Sequence, residues 1–255
     1  MKFLEYVPGD SLLHRLNPTV KLIAALVFAI ACFCTTNIAF LVVMFAIGIA
    51  LAASAGLMKP VFGLMKAVLL FSAILAIIQL LTVPQGAVLV GLPWGYIGTE
   101  SVRAAATTIL RLEACSIPLF LVFYVTKISD LTNAAVKNLH VPYKYAFTFS
   151  STVHFIPVFM NDMKGIMEAQ TARGIEFDQG GIANKIRLMV PLCVPLLVGS
   201  VRKTNSAAIA AEVRGFNLRT RQSGCKEYPF KGRNWGVLVA AVALLVAAIV
   251  LTMVF

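Results

Sequence analysis

Residues 22–58 read LIAALVFAIACFCTTNIAFLVVMFAIGIALAASAGLM, 37 residues without a charge between Lys21 and Lys59. A membrane-spanning helix needs about 20 predominantly apolar residues, so this stretch holds two, back to back. Thr35-Thr36-Asn37 is the polar break between them. Asn17-Pro18 opens the first, with Asn as the N-cap and Pro at the first helical position, where its missing N–H is not needed. The second is expected over about 38–57.

The rest of the chain agrees with this stretch. Of 255 residues, 59% are apolar and 13% charged. A soluble domain has about 45–50% and about 25%. A soluble globule, a disordered chain and a disulfide-stapled secreted miniprotein are all excluded, which leaves an integral membrane protein. Further spans are expected over about 66–83, 101–126 and 235–255. Between the third and fourth, Pro84, Gly86, Gly91, Pro93, Gly95 and Gly98 mark an apolar loop. It is expected to skim the interface, with Trp94 and Tyr96 as belt residues. The fold class is therefore all-α, a polytopic helical membrane protein with about five spanning helices. Its organisation reads as 1–126 (spans one to four), 127–234 (a cytoplasmic region) and 235–255 (the last span).

The net charge is +11, from 22 Lys and Arg against 11 Asp and Glu. Fifteen of the 22 fall in residues 127–233, and none in the 84–100 loop. The positive-inside rule puts the N-terminus, the 58–66 turn and the 127–233 segment in the cytoplasm, and the C-terminus outside. The excess is an orientation signal and not a nucleic-acid footprint. A secretory signal is not expected, because about twenty mostly polar residues precede the first apolar run. Cys32, Cys34, Cys115 and Cys193 lie in apolar runs and Cys225 in the basic segment, none with metal-ligand spacing. They read as small buried apolar side chains.

The 127–233 segment keeps helical periodicity. A short amphipathic stretch opens at Lys127 and ends at Pro142. A longer pattern covers about 143–173, with a kink at Pro157. Beyond the kink, Phe159, Met163, Ile166 and Met167 form one apolar stripe, while Asn161, Lys164, Glu168 and Thr171 face away. A third pattern covers about 182–214, bent at Pro191 and Pro195. Its second half carries small residues at Ser200, Thr204, Ala208 and Ala211, which let another helix approach closely. The two long helices end alike, at Ala172-Arg173-Gly174 and Val213-Arg214-Gly215, 41 positions apart. A helix-terminal cation followed by Gly is a common C-cap. Two of them on paired helices offer more, because a guanidinium at a helix tip can grip a carboxylate on a partner.

Several stretches together resemble one family, the transmembrane T components of energy-coupling factor (ECF) transporters, the CbiQ/EcfT-like proteins. The opening, from Ser11 through His14-Arg15-Leu16-Asn17-Pro18-Thr19-Val20-Lys21-Leu22, is similar to that family's. So are Asp130-Leu131-Thr132, Val141-Pro142, Phe155-Ile156-Pro157, Ala169-Gln170-Thr171-Ala172-Arg173-Gly174 and Glu212-Val213-Arg214-Gly215-Phe216. His154 stands where the family usually has Arg, and Val213 where it usually has Ala. The resemblance implies a non-catalytic coupling subunit of an ATP-driven importer of vitamins or transition-metal ions in the prokaryotic inner membrane. It implies two cytoplasmic ABC-type ATPase subunits as partners, gripped by Arg173 and Arg214. A separate membrane S component would bind the substrate and receive the motion. ATP and Mg would belong to the ATPases, with no cofactor on this chain, which has no phosphate-binding Gly-x-x-x-x-Gly-Lys-Ser/Thr loop.

Arg111 and Glu113, charged residues inside the fourth span, are functional candidates by position. Two positions apart, they point to different faces and do not pair. They are expected to satisfy polar groups on other helices, or with Met163 and Met167 to contact the S component. His154 and Asp162, eight apart, share a helix face, which alone does not make a metal site. The basic 219–233 run reads as solvated and facing anionic lipid. The alternatives are a stand-alone secondary transporter or channel, and a membrane enzyme. The first needs ionisable groups in several spans or repeated hairpins, and the second a clustered catalytic motif. Neither pattern is present.

Overall fold

A computed structural model describes residues 7–9, 11–82, 88–92, 95–175, 182–220, 223, 226–230 and 232–254. The chain is an all-α membrane protein. Its contacts divide it into two compact units, residues 1–134 with 227–255, and residues 135–226.

In the first unit, α1 is Pro18–Cys34, α2 Ile38–Ser54, α3 Met58–Thr82 and α4 Thr99–Val125. Helix α3, helix α4 and the last helix, over 232–254, are long and apolar enough to cross a bilayer; α1 and α2 are shorter apolar helices of 17 residues. Asn17 caps α1 as the sequence predicts, its side chain accepting from the Thr19 N–H at 3.0 Å. Asn37 does the same for α2 through Ala39. Helix α2 stops at Gly56, whose φ of +70° suits a residue without Cβ. There the Leu57 N–H returns to the Ala52 carbonyl and the Gly56 N–H to Ala53, which occupies two otherwise unpaired helix-end acceptors.

Two expectations change. Helix α3 begins at Met58, not near Lys66, so the 58–66 segment is helical and not a turn. Lys59 and Lys66 end an apolar run but do not break a helix, and Pro60 sits in the first turn, where no N–H is needed. The apolar loop before α4 contains an antiparallel hairpin, β1 (Val88–Leu92) against β2 (Gly95–Gly98), with Val90 opposite Ile97 and Leu92 opposite Gly95. Val-Leu-Val and Tyr-Ile favour the extended backbone. Trp94 and the side chain of Tyr96 lie outside the described residues.

Helix α4 packs against α1, α2 and α3. Phe28, Cys32, Leu41, Met44, Ala114 and Cys115 form one buried cluster, and Ala52, Leu57, Val61, Ile117 and Leu121 a second. Small residues permit the close approach: a Cβ on Gly48 would lie 3.4 Å from the Ile117 side chain. Outward, Phe33, Val43, Leu70, Phe71 and Ile77 are exposed. In water this would be an aggregation hazard, whereas lipid accepts it. Cys32 and Cys115 are buried as expected; Cys34 and Cys193 are exposed, and Cys225 lies outside the described residues.

The last helix, Gly232–Val254, packs against α1. Its start is tied to the start of α1. The Asn17 side chain donates to the Tyr228 carbonyl at 2.8 Å, and the Asn17 N–H donates to Asn234 Oδ1 at 3.4 Å. Tyr228 in turn donates its hydroxyl to Asp130 at 3.1 Å. Burial first, then the Asp130 charge, pushes that hydroxyl up to about 12, so Tyr228 stays a donor at neutral pH.

Two cations join α1 and α4 at opposite ends. Lys21, buried near the start of α1, donates from Nζ to the Val125 carbonyl (3.4 Å), to Thr126 Oγ1 (3.3 Å) and to the His14 carbonyl (3.3 Å). Arg111 on α4 donates to the carbonyl of Thr35, the C-cap of α1, at 2.7 Å. Each helix thus carries a cation against the negative end of the other.

Glu113 does not find the polar group the sequence reading assigns it. Its side chain is 3% exposed, and neither carboxylate oxygen has a hydrogen-bond partner among the described residues. Leaving a buried polar group unpaired costs about 1–3 kcal/mol. Glu113→Met, similar in length and without that demand, should therefore raise the thermal midpoint of the detergent-purified protein by several degrees. A lower midpoint would mean that the carboxylate has a partner in the membrane.

Candidate functional site

The second unit holds the end of α5 (Ile128–Asn138) from Ala135 onward, then α6 (Tyr143–Ala172), α7 (Ile182–Val213) and a 3₁₀ turn over Phe216–Leu218. Pro142 caps α6 and separates it from α5. Pro157, Pro191 and Pro195 all lie within continuous helices.

The two Arg-Gly ends close in related ways. At the end of α6, Arg173 is the C-cap and Gly174 takes φ +89°. The Gly174 N–H reaches the Thr171 carbonyl at 2.9 Å, and the Ile175 N–H reaches Gln170 at 3.1 Å. This double closure needs a left-handed residue at Gly174. At the end of α7, Gly215 takes φ +71° and its N–H reaches Glu212 at 2.9 Å. The chain then turns into the 3₁₀ segment in place of a second return bond. Ala172, Arg173, Gly174, Val213 and Arg214 are exposed, Val213 by 83%. Both guanidinium groups therefore sit on helix tips whose backbone is held by Gly.

Contacts between α6 and α7 set the direction of these tips. Asp162 on α6 pairs with Lys203 on α7. Phe216, just past α7, packs on Phe147 (centroids 4.8 Å apart) and Tyr143 (5.5 Å), near the start of α6. Arg219 donates to the Tyr143 hydroxyl at 2.6 Å and lies 5.2 Å from its ring centroid. Rising numbers on one helix meet falling numbers on the other, so α6 and α7 run antiparallel. Arg173 and Arg214 therefore lie at opposite ends of the pair. Each is eleven positions beyond the ion pair, Arg173 from Asp162 and Arg214 from Lys203. At ~1.5 Å rise per residue each tip is about 16 Å from that junction. The arrangement is a nearly symmetric two-ended arm.

Among the sequence candidates, Met163 and Met167 share the half-buried face of α6 with Phe159 and Ile166. Asn161, Lys164, Glu168 and Thr171 are exposed, as the periodicity predicts. Arg111 and Glu113 belong to the other unit, where Arg111 donates to the Thr35 carbonyl and the Glu113 carboxylate has no hydrogen-bond partner among the described residues. Asp162 and His154 do not come together, because Asp162 is taken by Lys203. No group of three His, Cys, Asp or Glu positioned to hold a metal occurs among the described residues. Arg219, Lys226 and Arg233 of the basic run are exposed, as expected of a solvated stretch, while Arg219 also binds Tyr143 and Arg233 donates to the Arg15 carbonyl at 3.1 Å. Arg221 and Lys231 lie outside the described residues. The sequence reading misses Asp162–Lys203 and the Tyr143–Phe147–Phe216–Arg219 cluster. One signal was available: Asp162 and Lys203 repeat the 41-residue offset of the two Arg-Gly ends.

Residues 9–224 match a protein family described as CbiQ, cobalt transport protein. The chain is 30% identical over 251 residues to the energy-coupling factor transporter transmembrane protein EcfT of Exiguobacterium sibiricum, covering 94% of each chain. It is 30% identical to the protein of that name from Listeria innocua serovar 6a, covering 83% of each. For that of Brevibacillus brevis the identity is 27%, over 95% of this chain and 94% of the relative.

Proposed function

The chain belongs to the CbiQ family of transport proteins, and from that premise we propose that it is the energy-coupling transmembrane subunit of an ATP-driven ECF-type importer. Two cytoplasmic ABC-type ATPases dock on the tips of α6 and α7. Arg173 and Arg214 each pair with acidic residues in a groove of one ATPase. ATP and Mg bind to those partners, and this chain holds no cofactor and performs no catalysis. Closure of the ATPase pair moves α6 and α7, and a membrane S component that carries a vitamin or a transition-metal ion receives the motion. The chain resides in the prokaryotic inner membrane with its N-terminus in the cytoplasm.

One observation carries this reading: two exposed Arg-Gly helix ends stand about equally far from the Asp162–Lys203 junction on an antiparallel pair. An arm with two like ends suits two like partners. Arg is the fitting residue, because its planar fork grips a carboxylate with two parallel hydrogen bonds. Each tip ends one long helix, α6 or α7, so motion applied at a tip is carried along that helix.

The test is affinity purification of the tagged chain from native membranes in mild detergent, with identification of the retained subunits. Two ATPase copies and a small hydrophobic protein are expected. A chain that purifies without ATPase, yet binds a small solute saturably at one per chain, would instead be a stand-alone secondary transporter.

A further inference from the structure

Two adjoining cavities lie in the first unit, where the starts of α1 and the last helix meet the end of α4. One, of about 430 Å³, is polar and charged. Arg15, Lys21, Lys127 and Arg233 line it against Asp130 and Glu227, leaving an excess of two positive charges. Arg15, Lys127 and Arg233 are exposed at its rim. The other, of about 360 Å³, is lined almost wholly by apolar side chains of α1, α2, α4 and the last helix. Ala24 and Ala25 on α1 and Ala240 and Ala241 on the last helix are among its lining, and their short side chains leave room in it. Leu16, Lys21 and Val125 line both cavities, so the charged and the apolar space adjoin at these three residues.

We propose that this double cavity binds one anionic glycerophospholipid, with the phosphate among Arg15, Lys127 and Arg233 and an acyl chain in the alanine-lined slot. The charged part sits at the ends of α1, α4 and the last helix, the level at which headgroups lie beside spanning helices. Basic pockets between spanning helices have this chemistry, and each volume falls in the size range of small-molecule sites. A free phosphate or phosphorylated solute would use the same cations but has no use for the slot, and it is the slot that selects the lipid. The proposal rests on the membrane fold alone and stands or falls independently of the coupling role.

The full-length chain, purified in mild detergent, is examined by native mass spectrometry after reconstitution in equimolar phosphatidylglycerol and phosphatidylcholine. One phosphatidylglycerol per chain should be retained, with at least tenfold preference over phosphatidylcholine. The double variant R15Q/K127Q should reduce retention about 25-fold, at roughly fivefold per cation lost. A240F, which fills the slot from its exposed side, should abolish retention while the thermal midpoint without lipid stays unchanged. Inorganic phosphate at 10 mM should not displace the lipid. Equal retention of both lipids, or retention unaffected by R15Q/K127Q, would overturn the proposal. So would displacement by phosphate together with an unaffected A240F variant, the result expected for a free-phosphate site.

Discussion

The chain carrying both Arg173→Ala and Arg214→Ala inserts into the membrane in normal amount, retains no ATPase through purification and supports no transport. Both side chains are exposed on helix tips, so their loss removes no internal contact of the fold. Truncating one partner of a desolvated charge pair at an interface costs about 2–5 kcal/mol. Two such losses at independent sites weaken the assembly by about three orders of magnitude or more. Each single variant should keep partial association, because the other tip still docks. Arg→Lys at either site should fall between, since an ammonium keeps the charge but loses the two-pronged fork. The readout is ATPase subunit recovered per tagged chain, with membrane abundance as the control. Full ATPase recovery with the double variant would exclude the two tips as docking points.

Lys21→Ala should destabilise the purified chain by about 2–4 kcal/mol in reversible denaturant titration. Lys21 is the donor to three acceptors, the carbonyls of His14 and Val125 and the hydroxyl of Thr126. Without it, the end of α4 loses both a hydrogen-bond donor and the cation facing its negative pole. Lys21→Met separates stem from charge, since it restores the apolar volume but not the donor. It should recover less than half of the loss. A change below about 0.5 kcal/mol for Lys21→Ala would show that water replaces the ammonium at no loss.

Local features were legible in the sequence because their physics is local. Asn17-Pro18 and Asn37 announce the starts of α1 and α2 through caps that need only the next two residues. Arg173-Gly174 and Arg214-Gly215 announce the helix ends through left-handed glycines. The start of α3 was misplaced because hydropathy weighs Lys59 and Lys66, while helix formation does not. The contacts that hold the elements together were not legible. Lys21 meets its partners 104 and 105 positions later, and Asn17 meets Asn234 after 217. Nothing near either residue encodes those distances. The two Arg-Gly helix ends are legible from their motifs, but their opposite placement needs the Asp162–Lys203 pair, which lies inside otherwise ordinary helices. Glu113 ran the other way, since its charge suggests a partner and the packing supplies none among the described residues.

The Lys21 clamp also sets a schedule for biosynthesis. Chains are made at about 5–20 residues per second. The acceptors at Val125 and Thr126 are thus translated roughly 5–20 s after Lys21, and Asn234 about 10–40 s after Asn17. During that interval α1 waits with an ammonium near its start that has lost no water and gained none of its acceptors from α4. The early chain is held in place by water and headgroups at the interface, and the arrival of α4 takes over that task. Variants at Lys21 should therefore show their defect during insertion, as proteolysis of nascent chains, before any defect appears in the assembled transporter.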